Sequence, residues 1–185
     1  MKRVYYTWRD VENFTQEIIR QIHNDGWRPD YVVGITRGGL VPANLISQYL
    51  GVRMETLRVS LRDGSECESN LWMAEDAFGY DNEPPIGADE INPALAKNIL
   101  IVDDINDTGA TLNWIRQDWP SGCLPKHDRW NHVWGTNVRV ATLVDNESSE
   151  SELDINYTAC TINKASEPQW IVFPWEEWWQ ISASE

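Results

Sequence analysis

The feature that most constrains this chain is the junction at Asp103, where an apolar run meets two carboxylates and then a loop of small residues. Residues 98–102 read Asn-Ile-Leu-Ile-Val, which is typical of a β-strand buried on both faces. Residues 103–111 follow as Asp-Asp-Ile-Asn-Asp-Thr-Gly-Ala-Thr. Three apolar residues then recur at helical spacing: Leu112, Ile115 and Trp119. The junction therefore predicts a buried strand that leads through a polar loop into a helix.

The rest of the chain repeats this alternation of strands and helices. Further strands are predicted at five places: 31–35, 54–61, 138–144, 157–162 and, as an edge piece, 171–173. Helices are predicted from a capping box at 7–10 through Ile22, and again over 40–50. The alternation predicts an α/β fold with a mostly parallel central sheet flanked by helices, and a chain of 185 residues suits one domain.

Two spans interrupt the periodicity. Residues 62–97 hold three glycines, three prolines and many acids, so we expect a long, flexible hood loop with a single helical turn near Trp72. Residues 120–137 are interpreted as an insertion after the helix that begins near residue 110.

The composition restricts the partners. The chain has 29 acidic and 15 basic side chains, a net charge of -14, whereas a nucleic-acid binder needs a basic surface. Without an apolar run of roughly 18–20 residues, we expect no membrane partner either. Three widely spaced cysteines are typical of reduced thiols, which predicts a cytoplasmic protein. We also expect a homo-oligomer.

The loop after Val102 carries groups suited to a phosphorylated sugar. Amides at the start of the following helix, over residues 108–111, would face an anion, and the helix dipole favours negative charge there. Asp103 and Asp104 suit a sugar diol or a hydrated Mg²⁺. A calcium loop starting at Asp104 would need an acidic twelfth residue, and that residue is Ile115. Capping of the helix without any ligand is the competing interpretation.

The tryptophans allow two interpretations. The chain has 11 tryptophans, which either fill the core and interfaces or include a ring that stacks on a flat ligand.

Residues 101–111 resemble the phosphoribosyl pyrophosphate (PRPP) signature of the type I phosphoribosyltransferases. Three further segments follow that family's order: Tyr-Thr-Trp at 6–8, Thr-Arg-Gly-Gly-Leu-Val-Pro at 36–42 and Trp-Ile-Val-Phe-Pro-Trp at 170–175. The chain is most similar to the bacterial xanthine–guanine members. The resemblance implies the type I phosphoribosyltransferase fold for residues 1–185 and a Mg²⁺-dependent enzyme.

The resemblance also implies a PRPP site made of two loops. Its residues would be Arg37, Gly38, Gly39, Asp103, Asp104, Asp107, Thr108, Gly109, Ala110 and Thr111. The first three would hold the pyrophosphate, and the last four the 5′-phosphate. The adjacent pair of aspartates would bind the ribose hydroxyls and Mg²⁺, with Asp104 as the main metal ligand.

For the base, the resemblance implies Asp107 as the catalytic proton acceptor, Trp170 as the stacking ring and the Ile171 backbone as the reader of the base edge. In the family a lysine at the end of the strand at 138–144 donates to the purine 6-oxo group. This chain has Asn146, or Asp145, at that place, and Asn146 is the residue that we expect to contact the base there. The implied function is transfer of phosphoribosyl from PRPP to a nitrogenous base such as a purine, in nucleotide salvage. The alternative is a non-catalytic PRPP- or nucleotide-binding regulator of the same fold.

Overall fold

A computed structural model describes residues 1–59, 61, 67–80 and 92–181. In chain order its elements are β1 (Lys2–Tyr5), α1 (Trp8–Asn24), β2 (Tyr31–Thr36), α2 (Leu40–Leu50), β3 (Arg53–Arg58), α3 (Leu71–Phe78), a 3₁₀ turn (Pro93–Leu95), β4 (Ile99–Asn106), α4 (Ala110–Gly122), α5 (Trp130–Val133), β5 (Val138–Asn146), β6 (Tyr157–Ile162), β7 (Gln169–Val172) and α6 (Trp178–Ile181).

Five parallel strands form the central sheet in the order β3-β2-β4-β5-β6, and β1 pairs with β7 in a separate parallel ribbon. The predicted α/β fold with a parallel sheet and flanking helices is therefore confirmed. In the described part of the chain, no helix is long and apolar enough to cross a membrane.

The sheet separates two apolar cores because successive strand side chains point to opposite faces. On β2, Val33 lies in the core covered by α3, α4 and α5, while Val32 lies in the core covered by α1 and α2. Both side chains are fully buried. This burial on both faces explains why the strand appears in the sequence as an unbroken apolar run.

The helix starts follow local signals. The Thr7 hydroxyl accepts from the Asp10 amide at 3.2 Å, and an Asp10 carboxylate oxygen accepts from the Thr7 amide at 2.8 Å. This is the predicted capping box. Helix α2 likewise has the predicted bounds, and Gly51 ends it in a left-handed conformation with φ of 65°.

Strand β4 continues for four residues beyond the apolar run at 98–102. Its pairing with β5 continues through Asp103 opposite Thr142 and Ile105 opposite Val144. The carboxylate pair therefore belongs to the strand and not to the loop after it. Pairing by backbone hydrogen bonds carries no hydropathy signal, so the polar end of the strand was hidden in the sequence.

The prediction of one long loop over 62–97 is wrong in its middle. Residues 71–78 form α3, and four of its side chains are buried in the core: Met73, Ala74, Ala77 and Phe78. Asp76 joins the helix to the sheet, since it accepts from the Tyr31 hydroxyl at 3.1 Å and pairs with Lys97 at 2.8 Å. The remainder of the predicted hood, at 62–66 and 81–91, lies outside the described residues.

The span at 120–137, predicted to be an insertion, contributes buried residues to the domain core. Helix α4 runs to Gly122, and Trp130 and Val133 of α5 are buried beside Trp119. The indole nitrogen of Trp130 donates to the Cys123 carbonyl at 3.0 Å, so the ring is both packed and hydrogen-bonded.

Candidate active site

The predicted site lies where the strand order reverses. From β2 the chain crosses to β3 on one side, and from β4 it crosses to β5 on the other, with β2 and β4 as neighbours. Connections leave such a pair of strands in opposite directions, which opens a crevice at their carboxyl ends. The loops at 37–39 and 107–109 follow these two strands directly.

The loop after β2 lies directly against the aspartate pair. A Cβ at Gly38 would be 1.9 Å from Asp104 Oδ2, and a Cβ at Gly39 would be 2.3 Å from the Val102 carbonyl oxygen. No side chain fits at either position, so the two glycines are required by close approach. Arg37 is exposed beside them. The structure thus brings the predicted pyrophosphate loop and the predicted ribose-binding acids together.

The aspartate pair is held by its own backbone. Asp103 Oδ1 accepts from the Asp104 amide at 3.0 Å, and Asp104 Oδ1 accepts from the Ile105 amide at 2.8 Å. Removal from water, and then the nearby Glu176 carboxylate, raise the pKa of Asp104 to about 6. A buried carboxylate of this kind favours a cation.

Oxygen ligands of this type fit Mg²⁺. Among the described residues, no group of three or more His, Cys, Asp and Glu side chains is arranged to hold a metal. A Mg²⁺ ion at Asp103 and Asp104 would therefore complete its shell with water and substrate oxygens, as this ion commonly does.

The predicted phosphate-binding loop at 107–109 is shaped by a contact that the sequence did not reveal. Gly109 has φ of 84°, and a Cβ there would be 2.3 Å from the Ser151 amide nitrogen. The Glu150 amide donates to the Thr108 carbonyl at 3.1 Å, which ties the segment after β5 to this loop. The left-handed backbone and the close approach of Ser151 thus require a glycine at position 109, independently of any bound phosphate.

Helix α4 begins directly after this loop, with Gly109 as its N-cap and no side-chain cap. Thr108 and Ala110 are exposed and Thr111 is half-buried, so the predicted phosphate-binding residues are open to a ligand. The helix dipole adds positive potential at the same place.

Asp107 pairs with a residue that no motif indicated. Lys164, in the connection between β6 and β7, places its ammonium nitrogen 2.8 Å from Asp107 Oδ1. The same nitrogen is 6.0 Å from the centre of the Trp170 ring. A lone lysine between two strands has no sequence signature, and its position depends on a chain path of 57 residues from Asp107.

Asn146 lies between Asp107 and Lys164, but its side chain is occupied by the protein. Its Nδ2 donates to the Asp107 carbonyl at 2.8 Å, and its Oδ1 accepts from the Lys164 amide at 2.9 Å. The same oxygen accepts from the hydroxyl of Ser148 at 2.8 Å. With Asn146 only 4% exposed, a direct contact with a base would break these bonds.

The two remaining residues that are predicted to contact the base, Trp170 and Ile171, lie on β7. Trp170, the predicted stacking ring, is 40% exposed. The Tyr6 amide donates to the Val172 carbonyl at 3.0 Å, and the ladder with β1 uses alternate residues of β7. The N–H and C=O of Ile171 therefore point to the opposite edge of the strand, although its side chain is buried.

Comparisons with known proteins point the same way. A family model described as a phosphoribosyl transferase domain matches residues 5–182. A xanthine-guanine phosphoribosyltransferase from Cereibacter sphaeroides is 31% identical over 95% of this chain and 87% of its own length. One from Idiomarina loihiensis is 26% identical over 64% of this chain and 66% of its own length.

The solved structure of Helicobacter pylori xanthine-guanine-hypoxanthine phosphoribosyltransferase superposes with a TM-score of 0.63 over 99% of both chains, at 19% identity. At that identity the likeness shows a shared fold.

Proposed function

Because this chain belongs to the phosphoribosyltransferase family, we propose that it transfers the 5-phosphoribosyl group of PRPP to a purine base and releases pyrophosphate. The names of the relatives support a purine of the guanine, xanthine or hypoxanthine type. Nucleotide salvage is the role that such a reaction serves. The cytoplasmic location and the homo-oligomer stay predictions.

The observation that carries this proposal is the contact between the Gly38 backbone and the Asp104 carboxylate. PRPP has phosphate groups at both ends of its sugar and hydroxyls between them. In this proposal the loop after β2 and the start of α4 would each bind one phosphate end of PRPP, and the aspartate pair at the end of β4 would bind the hydroxyls between them. The order of groups in the site thus matches the order of groups in PRPP.

The proposed reaction forms a bond between a base nitrogen and C1′ and breaks the bond between C1′ and the pyrophosphate oxygen. The bonding electrons leave with pyrophosphate, and the Arg37 guanidinium beside the glycine loop can stabilise the charge that develops there. Asp103 and Asp104 would hold Mg²⁺, which supplies charge neutralisation for pyrophosphate when bound.

The base must lose its ring proton as the new bond forms. Asp107 is a carboxylate at the mouth of the phosphate loop, with a side chain 27% exposed, and we propose that it accepts this proton.

Release of pyrophosphate from PRPP and Mg²⁺ in the presence of guanine, xanthine, hypoxanthine, adenine or uracil tests the proposal. We expect release with a 6-oxopurine and none without a base. Tight PRPP binding with no release for any base would instead support the non-catalytic regulator.

A further inference from the structure

The Lys164 side chain is more buried than the lysine of an ordinary surface ion pair. In its pair with Asp107 the lysine side chain is 16% exposed, against 64% for Lys2 in the pair with Glu167. Burial of an ammonium group carries a desolvation cost that an exposed pair avoids. The pair lies at the carboxyl end of the sheet beside Trp170.

The backbone around the pair is fixed by Asn146. One side-chain amide holds the Asp107 carbonyl at 2.8 Å and the Lys164 amide at 2.9 Å. Acid and base are therefore held side by side from two separate loops, which is a preorganised arrangement of one acceptor and one donor. Trp170, 6.0 Å from the ammonium, adds a flat apolar wall next to them.

We propose that Lys164 determines base specificity by donating a hydrogen bond to the 6-oxo oxygen of a purine, an inference that rests on the proposed function. A neutral purine that reacts through N9 carries its imidazole proton on N7. In a 6-oxopurine this N–H donor lies next to the C6 carbonyl acceptor. Asp107 offers the complementary acceptor and Lys164 the complementary donor. The two side chains are neighbours, as the N7–H and the C6 carbonyl of the purine are.

The same pair discriminates against adenine. The group beside N7 in adenine is an amino group, a donor, which would face the ammonium of Lys164. Two donors without an acceptor leave a buried polar group unpaired, and that penalty is larger than the gain from one good hydrogen bond. Specificity thus comes from repulsion of one base as well as from attraction of the other.

In this assignment the base-reading cation comes from the connection between β6 and β7. The end of β5, where the family resemblance implies a lysine, instead holds Asn146, whose amide positions both members of the pair. Asn146 is therefore a positioning residue and Lys164 the residue that contacts the base.

The test compares the wild type with Lys164→Gln and with Lys164→Met, which removes the donor but keeps most of the chain length. Lys126→Gln, at an exposed lysine outside the site, is the matched control. Two readouts are measured for each protein: kcat/KM for guanine and for adenine, and the Kd of GMP and of AMP by calorimetry. Circular dichroism checks that each variant is folded, because AMP affinity itself should rise once the ammonium that faces the adenine amino group is removed.

We expect the preference for guanine over adenine, and for GMP over AMP, to fall by about ten- to a hundredfold in both Lys164 variants. It should stay unchanged in Lys126→Gln. A wild type that prefers 6-oxopurines, with a preference that neither Lys164 variant reduces, would overturn the role of Lys164 while the proposed function stands.

The nucleotide affinities separate the two hypotheses. If no base yields pyrophosphate but the preference for GMP over AMP still depends on Lys164, the proposed function fails and the specificity assignment holds. If GMP and AMP bind equally in the wild type, the assignment is overturned whatever the activity.

Discussion

Asp104 is the residue whose proposed role in ligand binding conflicts most clearly with the stability of the isolated fold. Its carboxylate lies against the Gly38 backbone, and burial raises its pKa to about 6. A charge in that place is unfavourable until a cation arrives. The acid pair was predicted from residue type and the two glycines from the family resemblance, but their contact depends on the pairing of β2 with β4.

We predict that Asp104→Asn stabilises the ligand-free protein and abolishes its response to substrate. The amide keeps an oxygen to accept from the Ile105 amide, now 2.8 Å away, but removes the buried charge. The unfolding midpoint at pH 8 should rise by about 2–4 °C for each kcal/mol gained. Mg²⁺ and PRPP should raise the midpoint of the wild type but not of the variant. Asp154→Asn, at an exposed carboxylate, is the control and should leave both results unchanged.

Gly109 and Gly26 separate two reasons for a glycine. Both have positive φ, 84° and 66°, but a Cβ at Gly26 meets nothing within 4 Å whereas one at Gly109 would overlap Ser151. Gly26→Ala should therefore cost only the left-handed backbone penalty, about 1 kcal/mol. Gly109→Ala should cost clearly more in urea unfolding. Equal losses in the two variants would contradict the close approach of the 150–151 segment to the phosphate loop.

At the level of elements, prediction succeeded where hydrophobic periodicity and helix caps act locally. Helix α2 and the strand at 31–36 follow from such signals. Helix α3 does not follow from such signals. The acids, glycines and prolines that flank its eight residues give the whole span 62–97 the composition of a loop. Its stability comes from tertiary packing, which outweighs weak local preference in a short helix.

Phe78→Ala tests whether α3 is a fixed part of the core. The ring is fully buried and packs on Trp130 with centroids 5.2 Å apart. Loss of a buried aromatic ring typically costs about 3–5 kcal/mol. Leu71→Ala, in the same helix at a residue 47% exposed, should cost far less. Urea unfolding that gives similar small losses for both variants would mean that α3 is not held by the core.

The molecule as a whole carries 29 acidic and 15 basic side chains and is proposed to bind a polyanion. The cations and amides of the proposed site would therefore have to bind a polyanion against the repulsion from the protein's net negative charge. The acidic excess was evident from composition, and it led to the prediction that the chain has no nucleic-acid partner. Composition could not show where the few basic groups lie. The position of Lys164 beside Asp107 became visible only in the structure.

Self-repulsion of this excess should make thermal stability depend on salt. Raising NaCl from about 10 mM to about 100 mM shortens the screening length from roughly 30 Å to 10 Å. We expect the unfolding midpoint of the ligand-free protein to rise over that range, because the net charge of -14 repels itself most at low salt. A midpoint that stays flat or falls in differential scanning calorimetry would show that attractive ion pairs outweigh the repulsion.

The measurement that tests the central claim most directly is ³¹P NMR of PRPP mixed with Mg²⁺, guanine and either the wild type or Asp107→Asn. For the wild type we predict that PRPP disappears while pyrophosphate and a nucleotide phosphate grow in equal amounts, and only when guanine is present. Asp107→Asn should bind PRPP with a similar Kd and convert it about 10²–10⁴-fold more slowly. PRPP that stays intact with the wild type and guanine, or a variant as fast as the wild type, would contradict the account.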